Sequence, residues 1–407
     1  METIMEKRII LSLLVASSLF GDTEMNAIKE QLQAQQEAMA SLNAKLVQLE
    51  QKNTNQSASF SQNAYLPDMA LILNMSAVSR NISNSDYTTS TIPGFIDSGE
   101  MNFPFNKDRG FNLNYAEFAM HSVVDPYFEA FANFHLHPEA FEIGEAYVQT
   151  TSLAYSLRIK AGKFKSSFGR MNKKHQHSWN FDSQALIYKA LFGPDSISDA
   201  GVQLQWIAPI DTYLMFGTEA MQGTNGRSFG DSSSSNLYIG YVKSSVDIGD
   251  DLSVLGGGSY AHGKNITSNA TDIYGIDLTF REQLGSYSAL IWQSEYLYRD
   301  MTLSDTKDKQ AGFYSELIYQ YNNNYSFGTR YDRITKNETD ISMYSGVDTD
   351  NLDRYTAKID YKPFPMSRLR LSYTYDRSKI IAGERKDVSE VMLSLNIAAG
   401  AHGAHDY

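Results

Sequence analysis

The stretch that decides the fold is residues 366–376, which read MSRLRLSYTYD. Apolar and polar side chains alternate along it, and successive side chains of a β-strand point to opposite sides. Its apolar face carries Leu369, Leu371, Tyr373 and Tyr375, and its polar face carries Arg368, Arg370, Ser372, Thr374 and Asp376. This pattern predicts a β-strand with one apolar face and one face that contacts water.

Runs of this kind recur along the chain from residue 69 onward. A tilted transmembrane strand needs about 9–11 residues, and these runs have about that length. We count sixteen candidate strands: 69–80, 111–122, 127–138, 141–151, 154–163, 199–208, 211–222, 234–247, 250–262, 270–282, 286–300, 308–321, 324–334, 350–361, 366–376 and 387–398. The sequence therefore predicts an all-β protein.

The connections between these runs alternate in length. Every second connection is tight, as at Ile248-Gly249-Asp250 and Asn322-Asn323-Asn324, and most of the others are longer. The longer ones are 81–110, 164–198, 223–233, 301–307, 335–349 and 377–386. Short turns on one rim and long loops on the other are typical of a transmembrane β-barrel with an even number of strands. We therefore predict a 16-stranded antiparallel transmembrane β-barrel; a soluble β-sandwich or propeller is the alternative.

The composition excludes several other classes of protein. The 407 residues include no cysteine, which excludes cysteine-ligated metal sites, thiol catalysis and a lipoprotein anchor. With 35 basic and 47 acidic side chains the net charge is −12, which disfavours a nucleic-acid partner. No internal apolar run is long enough for a membrane-spanning helix. No nucleophile elbow or metalloprotease motif is present, and we do not expect an enzyme.

The N-terminus resembles an export signal. Lys7 and Arg8 precede an apolar run at 9–16, and small residues follow up to Gly21. This order predicts a signal peptide over 1–21, with a short buried helix as the alternative. Export together with a barrel implies the envelope of a Gram-negative cell.

The next segment, 22–52, has apolar residues in steps of three and four. Such a repeat predicts a short α-helical coiled coil, which needs partner helices to cover its stripe. A homo-oligomer supplies them, and an amphipathic helix folded on its own domain is the alternative. A polar linker follows at 53–66, and the barrel occupies 67–407. The expected oligomerisation residues are Met25, Ile28, Leu32, Met39, Leu42, Leu46 and Leu49.

A local motif resembles one porin family. The segment Gly162-Lys163-Phe164-Lys165, followed by Phe168, is similar to the "G-[KQ]-F-K…F" element of phosphate-selective porin-like outer-membrane proteins, and Gly201-Val202 opens a later strand as it does there. The chain is also similar to porin-like proteins labelled zinc-regulated outer-membrane receptors. The resemblance implies a homotrimeric porin in outer-membrane lipid, with its coiled coil in the periplasm. It also implies that the long loop 164–198 folds inward and narrows the pore.

Basic residues cluster in and near this loop. Between 158 and 189 there are eight basic side chains and one acidic one, Asp182, although the chain is acidic overall. A ring of basic side chains at a constriction favours anions; ordinary lumen charges paired with acids are the alternative. The candidate lumen residues are Arg158, Lys160, Lys163, Lys165, Arg170, Lys173, Lys174, Arg330, Arg354, Arg368 and Arg370.

Six of the eight histidines form close pairs, at 135/137, 175/177 and 402/405. On a strand, residues i and i+2 share a face, and imidazole together with carboxylate suits zinc or nickel. Unlinked polar residues near the rim are the alternative. The candidate metal ligands are Glu129, His135, His137, His175 and His177.

The sequence favours a porin that passes small hydrophilic solutes by passive diffusion, with a preference for anions. It predicts no resident cofactor and no nucleic-acid partner. Two alternatives stay open: an outer-membrane protein that binds or takes up a divalent metal such as zinc, and a structural tether of the outer membrane.

Overall fold

The computed structural model describes residues 67–95, 105–137, 141–230, 237–304, 306–339 and 352–400. They belong to the second of two compact units, Pro67–Tyr407, and the first unit is Met1–Leu66. The predicted signal peptide, coiled coil and linker lie outside the described residues, as do His402 and His405. No helix of the described part is long and apolar enough to cross a membrane.

Sixteen antiparallel strands close into a barrel, which confirms the predicted fold. Each strand pairs with its neighbour in sequence, and β1 closes the barrel by pairing with β18. The barrel strands are β1 Asp68–Arg80, β2 Gly110–Asp125, β3 Phe128–Leu136, β4 Phe141–Thr150, β5 Leu157–Lys165, β6 Ser198–Ile207, β7 Tyr213–Met221, β8 Leu237–Ile248, β9 Leu252–Lys264, β10 Ala270–Gln283, β11 Ala289–Thr302, β12 Lys307–Gln320, β13 Tyr325–Glu338, β14 Asp353–Phe364, β15 Ser367–Asp376 and β18 Val388–Gly400.

A hairpin and two α-helices lie in the longer connections. A two-stranded hairpin, β16 Ile380–Ile381 and β17 Glu384–Arg385, sits between β15 and β18. Helix α1 covers Asn84–Thr89, and helix α2 covers Leu186–Phe192. At the opposite rim the turns are short. In one of them Gly249 adopts a φ of 67°, a left-handed conformation that glycine reaches without strain.

The two faces of the wall follow the sequence alternation. Leu371 pairs with Ile359 on one side and Leu393 on the other, and all three are exposed on the outer surface. One residue earlier, Arg370 pairs with Asp360 and is buried at 1% exposure. The barrel therefore has an apolar outside and a polar inside, which is the arrangement a membrane barrel with a polar interior requires.

The connection from β5 to β6, residues 166–197, folds into the barrel; we call it the inner loop. Its helix α2 reads LIYKALF, and six of these seven side chains are buried. They pack with Phe168 against apolar residues on the inner face of the wall, among them Ile239, Ile273, Leu297 and Ile334. The apolar core of the protein thus lies inside the lumen, because the helix needs an apolar wall to cover it.

Candidate functional site in the barrel lumen

Glu295 on β11 holds the start of the inner loop. Its buried carboxylate accepts the backbone N–H groups of Arg170 and Met171 at 3.0 and 2.8 Å, and the Tyr188 hydroxyl at 2.7 Å. Gly169 has a φ of 59°, and a Cβ there would collide with the Tyr188 hydroxyl. This close approach explains why glycine occupies the position, and it ties the loop to one side of the wall.

Two of the candidate lumen arginines bind the inner loop at residues 183–184. Arg330 donates to the Ser183 carbonyl at 2.8 Å, and Arg354 donates to the Gln184 carbonyl at 2.6 Å. Both guanidinium groups also contact Oδ2 of Asp332, at 3.0 and 3.1 Å. Glu316 lies 3.6 Å from Arg330 as well, so two carboxylates balance these two cations while the cations fix the loop.

Arg370 has the same role one strand further along. It contacts Asp360 at 2.6 Å and the loop residue Asp182 at 3.4 Å. Asp182 also accepts the Ser394 hydroxyl at 2.8 Å. The inner loop is thus bonded to β15 and β18 as well as to β11, so it crosses the lumen.

Four more of the candidate cations lie on the inner loop or on β15. Nε of Arg170 and Nε of Arg368 are buried without a hydrogen-bond partner among the described residues. Lys173 and Lys174 are half-buried on the loop. Burial and the neighbouring Arg170 guanidinium lower the pKa of Lys174, although Glu316 opposes the shift. Lys243, which the sequence reasoning missed, donates to the Gly169 carbonyl at 2.6 Å.

The four candidate cations of β5 do not form one group. Arg158 is exposed, and the Lys160 ammonium lies 4.2 Å from the centre of the Tyr147 ring. Lys163 donates to the Ile143 carbonyl at 2.6 Å, and Lys165 donates to the Asp195 carbonyl at 3.1 Å.

A cavity remains between the inner loop and the wall near β14, β15 and β18. Its charged lining comprises Lys189, Arg354, Lys379, Asp182, Asp376 and Glu390. Burial and the nearby Lys379 ammonium lower the pKa of Lys189 well below its usual range. The loop therefore packs its apolar residues against one side of the wall and leaves a cavity with a charged lining beside the other.

Two histidines of the candidate metal set contact one carboxylate, that of Glu117 on β2. Oε2 of Glu117 lies 3.5 Å from Nε2 of His135 and 3.3 Å from Nδ1 of His177. Glu117 is 1% exposed. The His175 and His177 rings stack with centroids 5.7 Å apart, and the His135 ring lies 6.1 Å from that of His137. The two sequence pairs thus meet at the junction of the inner loop with β2 and β3.

A second carboxylate, Glu145 on β4, holds His175 from its other side. Nε2 of His175 lies 2.6 Å from Oε2 of Glu145, and Nδ1 lies 3.3 Å from the Asn133 amide nitrogen. The same amide donates to Glu117 at 3.1 Å. Burial opposes protonation, but the Glu145 and Glu117 carboxylates raise the pKa of His175.

Glu129 lies apart from this cluster. It contacts His121 at 3.1 Å and accepts a hydrogen bond from Gln149. The acids that meet the histidines, Glu117 and Glu145, were missed by the sequence reasoning. The antiparallel register places Glu117 opposite His135, so a correct pairing of β2 with β3 would have found it.

Comparisons with known proteins find a relative by sequence and several solved outer-membrane proteins by fold. No protein-family model matches the chain. A protein of Aquifex aeolicus (strain VF5), described only as uncharacterized, is 36% identical over 383 residues, covering 86% of this chain and 81% of the relative.

Solved outer-membrane proteins share the fold. The anion-selective porin from Comamonas acidovorans superposes with a TM-score of 0.54 at 10% identity, covering 82% of this chain and 99% of that porin. The outer-membrane channel DcaP of Acinetobacter baumannii gives 0.53 at 9% identity, with 82% and 97% covered. The trimer form of in-vitro folded OmpT of Vibrio cholerae gives 0.52 at 10% identity, with 82% and 99% covered. At these identities the likeness establishes the fold.

Proposed function

The chain belongs to the same protein family as the Aquifex aeolicus protein and has the porin fold, and on this premise we propose that it is an outer-membrane channel rather than an enzyme. Small hydrophilic solutes would cross by passive diffusion. The observation that carries the proposal is the inner loop, which crosses the lumen of the closed barrel and leaves a cavity with a charged lining beside β14, β15 and β18. A wall with an apolar outside and a polar inside supports the outer-membrane location.

We also propose that the channel prefers anions. Arg330, Arg354 and Arg370 support this least, because acids neutralise them. The support comes from Arg170, Lys173 and Lys174 on the loop, because the cavity lining balances its three cations with three acids, Asp182, Asp376 and Glu390. Charges at a narrow, poorly screened constriction act on ions more strongly than charges at an open rim.

Reversal potentials in a salt gradient test this preference. We expect the parent protein to prefer chloride over potassium, and Lys173→Glu with Lys174→Glu to shift the potential toward cation preference. The matched control is Lys307→Glu with Lys386→Glu, which makes the same change of charge at exposed positions outside the lumen. A potential that moves equally in both double variants, or in neither, would contradict the role of the loop lysines.

Three finer features extend the proposal. The similarity of 162–168 and 201–202 supports membership of the phosphate-selective porin-like proteins, and the heptads of 25–49 support a homotrimer with a periplasmic coiled coil. Metal binding is favoured by the histidine cluster and is argued below. A purely structural tether has only the heptads in its favour, and channel recordings separate it from a porin.

A further inference from the structure

The histidine cluster joins two parts of the molecule that are distant in sequence. Glu117 and His135 lie on adjacent wall strands, β2 and β3, whereas His175 and His177 lie on the inner loop. One atom from each of Glu117, His135 and His175 lies within 4.8 Å of the others. A metal ion bound by these three side chains would contact the wall and the loop together.

We propose that Glu117, His135 and His175 bind a divalent transition-metal ion of the zinc class, and that this ion fixes the inner loop to the barrel wall. The site does not depend on the channel activity proposed above. Two imidazoles and one carboxylate form a ligand set that zinc uses with a fourth position left for water. Magnesium and calcium prefer all-oxygen sets, so the imidazoles select against them.

The surroundings of His175 are those of an oriented metal ligand. A ligating histidine commonly places its second ring nitrogen against a carboxylate, which fixes the ring and raises its basicity. Glu145 occupies that position, 2.6 Å from Nε2 of His175. Nδ1 then faces the Asn133 amide that also bonds Glu117, so it is the nitrogen assigned to the ion. The ion would replace the hydrogen bond between the Asn133 amide and Nδ1 of His175.

Burial distinguishes this cluster from the other histidine–carboxylate pairs. Glu117 is 1% exposed and His175 is 5% exposed, and both are held by further side chains. In contrast, His262 contacts Asp272 at 2.8 Å with its side chain 47% exposed, and it has one carboxylate neighbour. His262 is therefore a control that keeps a histidine–carboxylate pair but lacks the third ligand.

Zinc titration of the purified full-length protein, stripped of metal and held at about pH 8, above the ordinary pKa of imidazole, tests the ligand set. A competing chromophoric chelator gives the affinity. We expect one tight equivalent of zinc in the parent and in His262→Ala, its loss in His135→Ala and His175→Ala, and about 10- to 100-fold weaker binding in Glu145→Gln. Magnesium should not compete. Equal zinc binding in all variants, or none in the parent, would overturn the site.

Limited trypsin digestion tests the link between wall and loop, because Lys173 and Lys174 directly precede His175. Zinc should slow cleavage there in the parent but not in His135→Ala, whose substitution lies on the wall strand and leaves the loop sequence at the cut unchanged. Zinc binding without this protection would overturn the fixing role. Heat-dependent gel mobility checks that each variant is folded. If His135→Ala is not folded, His135→Gln replaces it.

Discussion

At the scale of single residues, buried acids organise the lumen. Glu295, Asp332 and Glu117 are each at most 1% exposed. Glu295 and Asp332 lie on the wall and accept backbone N–H groups of the inner loop. Glu117 contacts a histidine of the wall and a histidine of the loop. The sequence indicated the basic residues between 158 and 189, because eight of them occur with one acidic residue in a chain that is acidic overall. The acidic residues of the strands do not stand out in the sequence, because the strand faces that line a barrel lumen are generally polar.

Glu295 offers the sharpest test of how the loop is held. Glu295→Ala would leave the Arg170 and Met171 N–H groups and the Tyr188 hydroxyl without their acceptor. Each buried donor left unsatisfied costs about 1–3 kcal/mol. We expect the loop to detach part of the time, which single-channel recordings would show as larger and noisier conductance.

The matched control for that change is Glu282→Ala, which removes an exposed glutamate near the end of β10. It should leave conductance and noise at parental values. Identical traces from Glu295→Ala and the parent would mean that the remaining contacts, such as those of Arg330 and Arg354, hold the loop without it.

At the scale of elements, the strands could be predicted from the sequence and the path of the loop could not. The run 366–376 predicts β15 to within one residue, because alternation and strand length are local properties. Where the inner loop lies depends on contacts with Asp332, Glu295 and Glu117, which are distant in sequence. The apolar segment 186–192 was a usable signal, because an apolar helix in a polar lumen needs a partner.

The N-terminal heptad segment carries its own prediction. Deleting 25–49 should weaken assembly of the trimer without unfolding the barrel, because the barrel satisfies its own backbone hydrogen bonds. Native mass in detergent measures the assembly, and circular dichroism measures the β-structure.

Removal of the polar linker residues 53–60 is the control, and it should keep the trimer. A parent protein that is already monomeric, or a heptad deletion that loses its β-signal, would contradict this division of roles.

At the scale of the whole molecule, the apolar side chains lie on the outside and the charges lie inside. The outer row of Ile359, Leu371 and Leu393 needs lipid, while Asp360 and Arg370 are covered by the wall and the loop. The loop adds an apolar core within this polar interior. Such a molecule is stable as a membrane barrel, and the charged cavity beside its inner loop is the feature from which we infer transport.

Single-channel recording of the purified parent protein in a planar lipid bilayer tests that inference most directly. The account predicts discrete conductance steps that rise linearly with voltage at low potentials and with salt concentration, without any energy source. Protein that inserts and shows heat-dependent gel mobility, yet gives no steps, would contradict the proposal that this barrel is a passive channel.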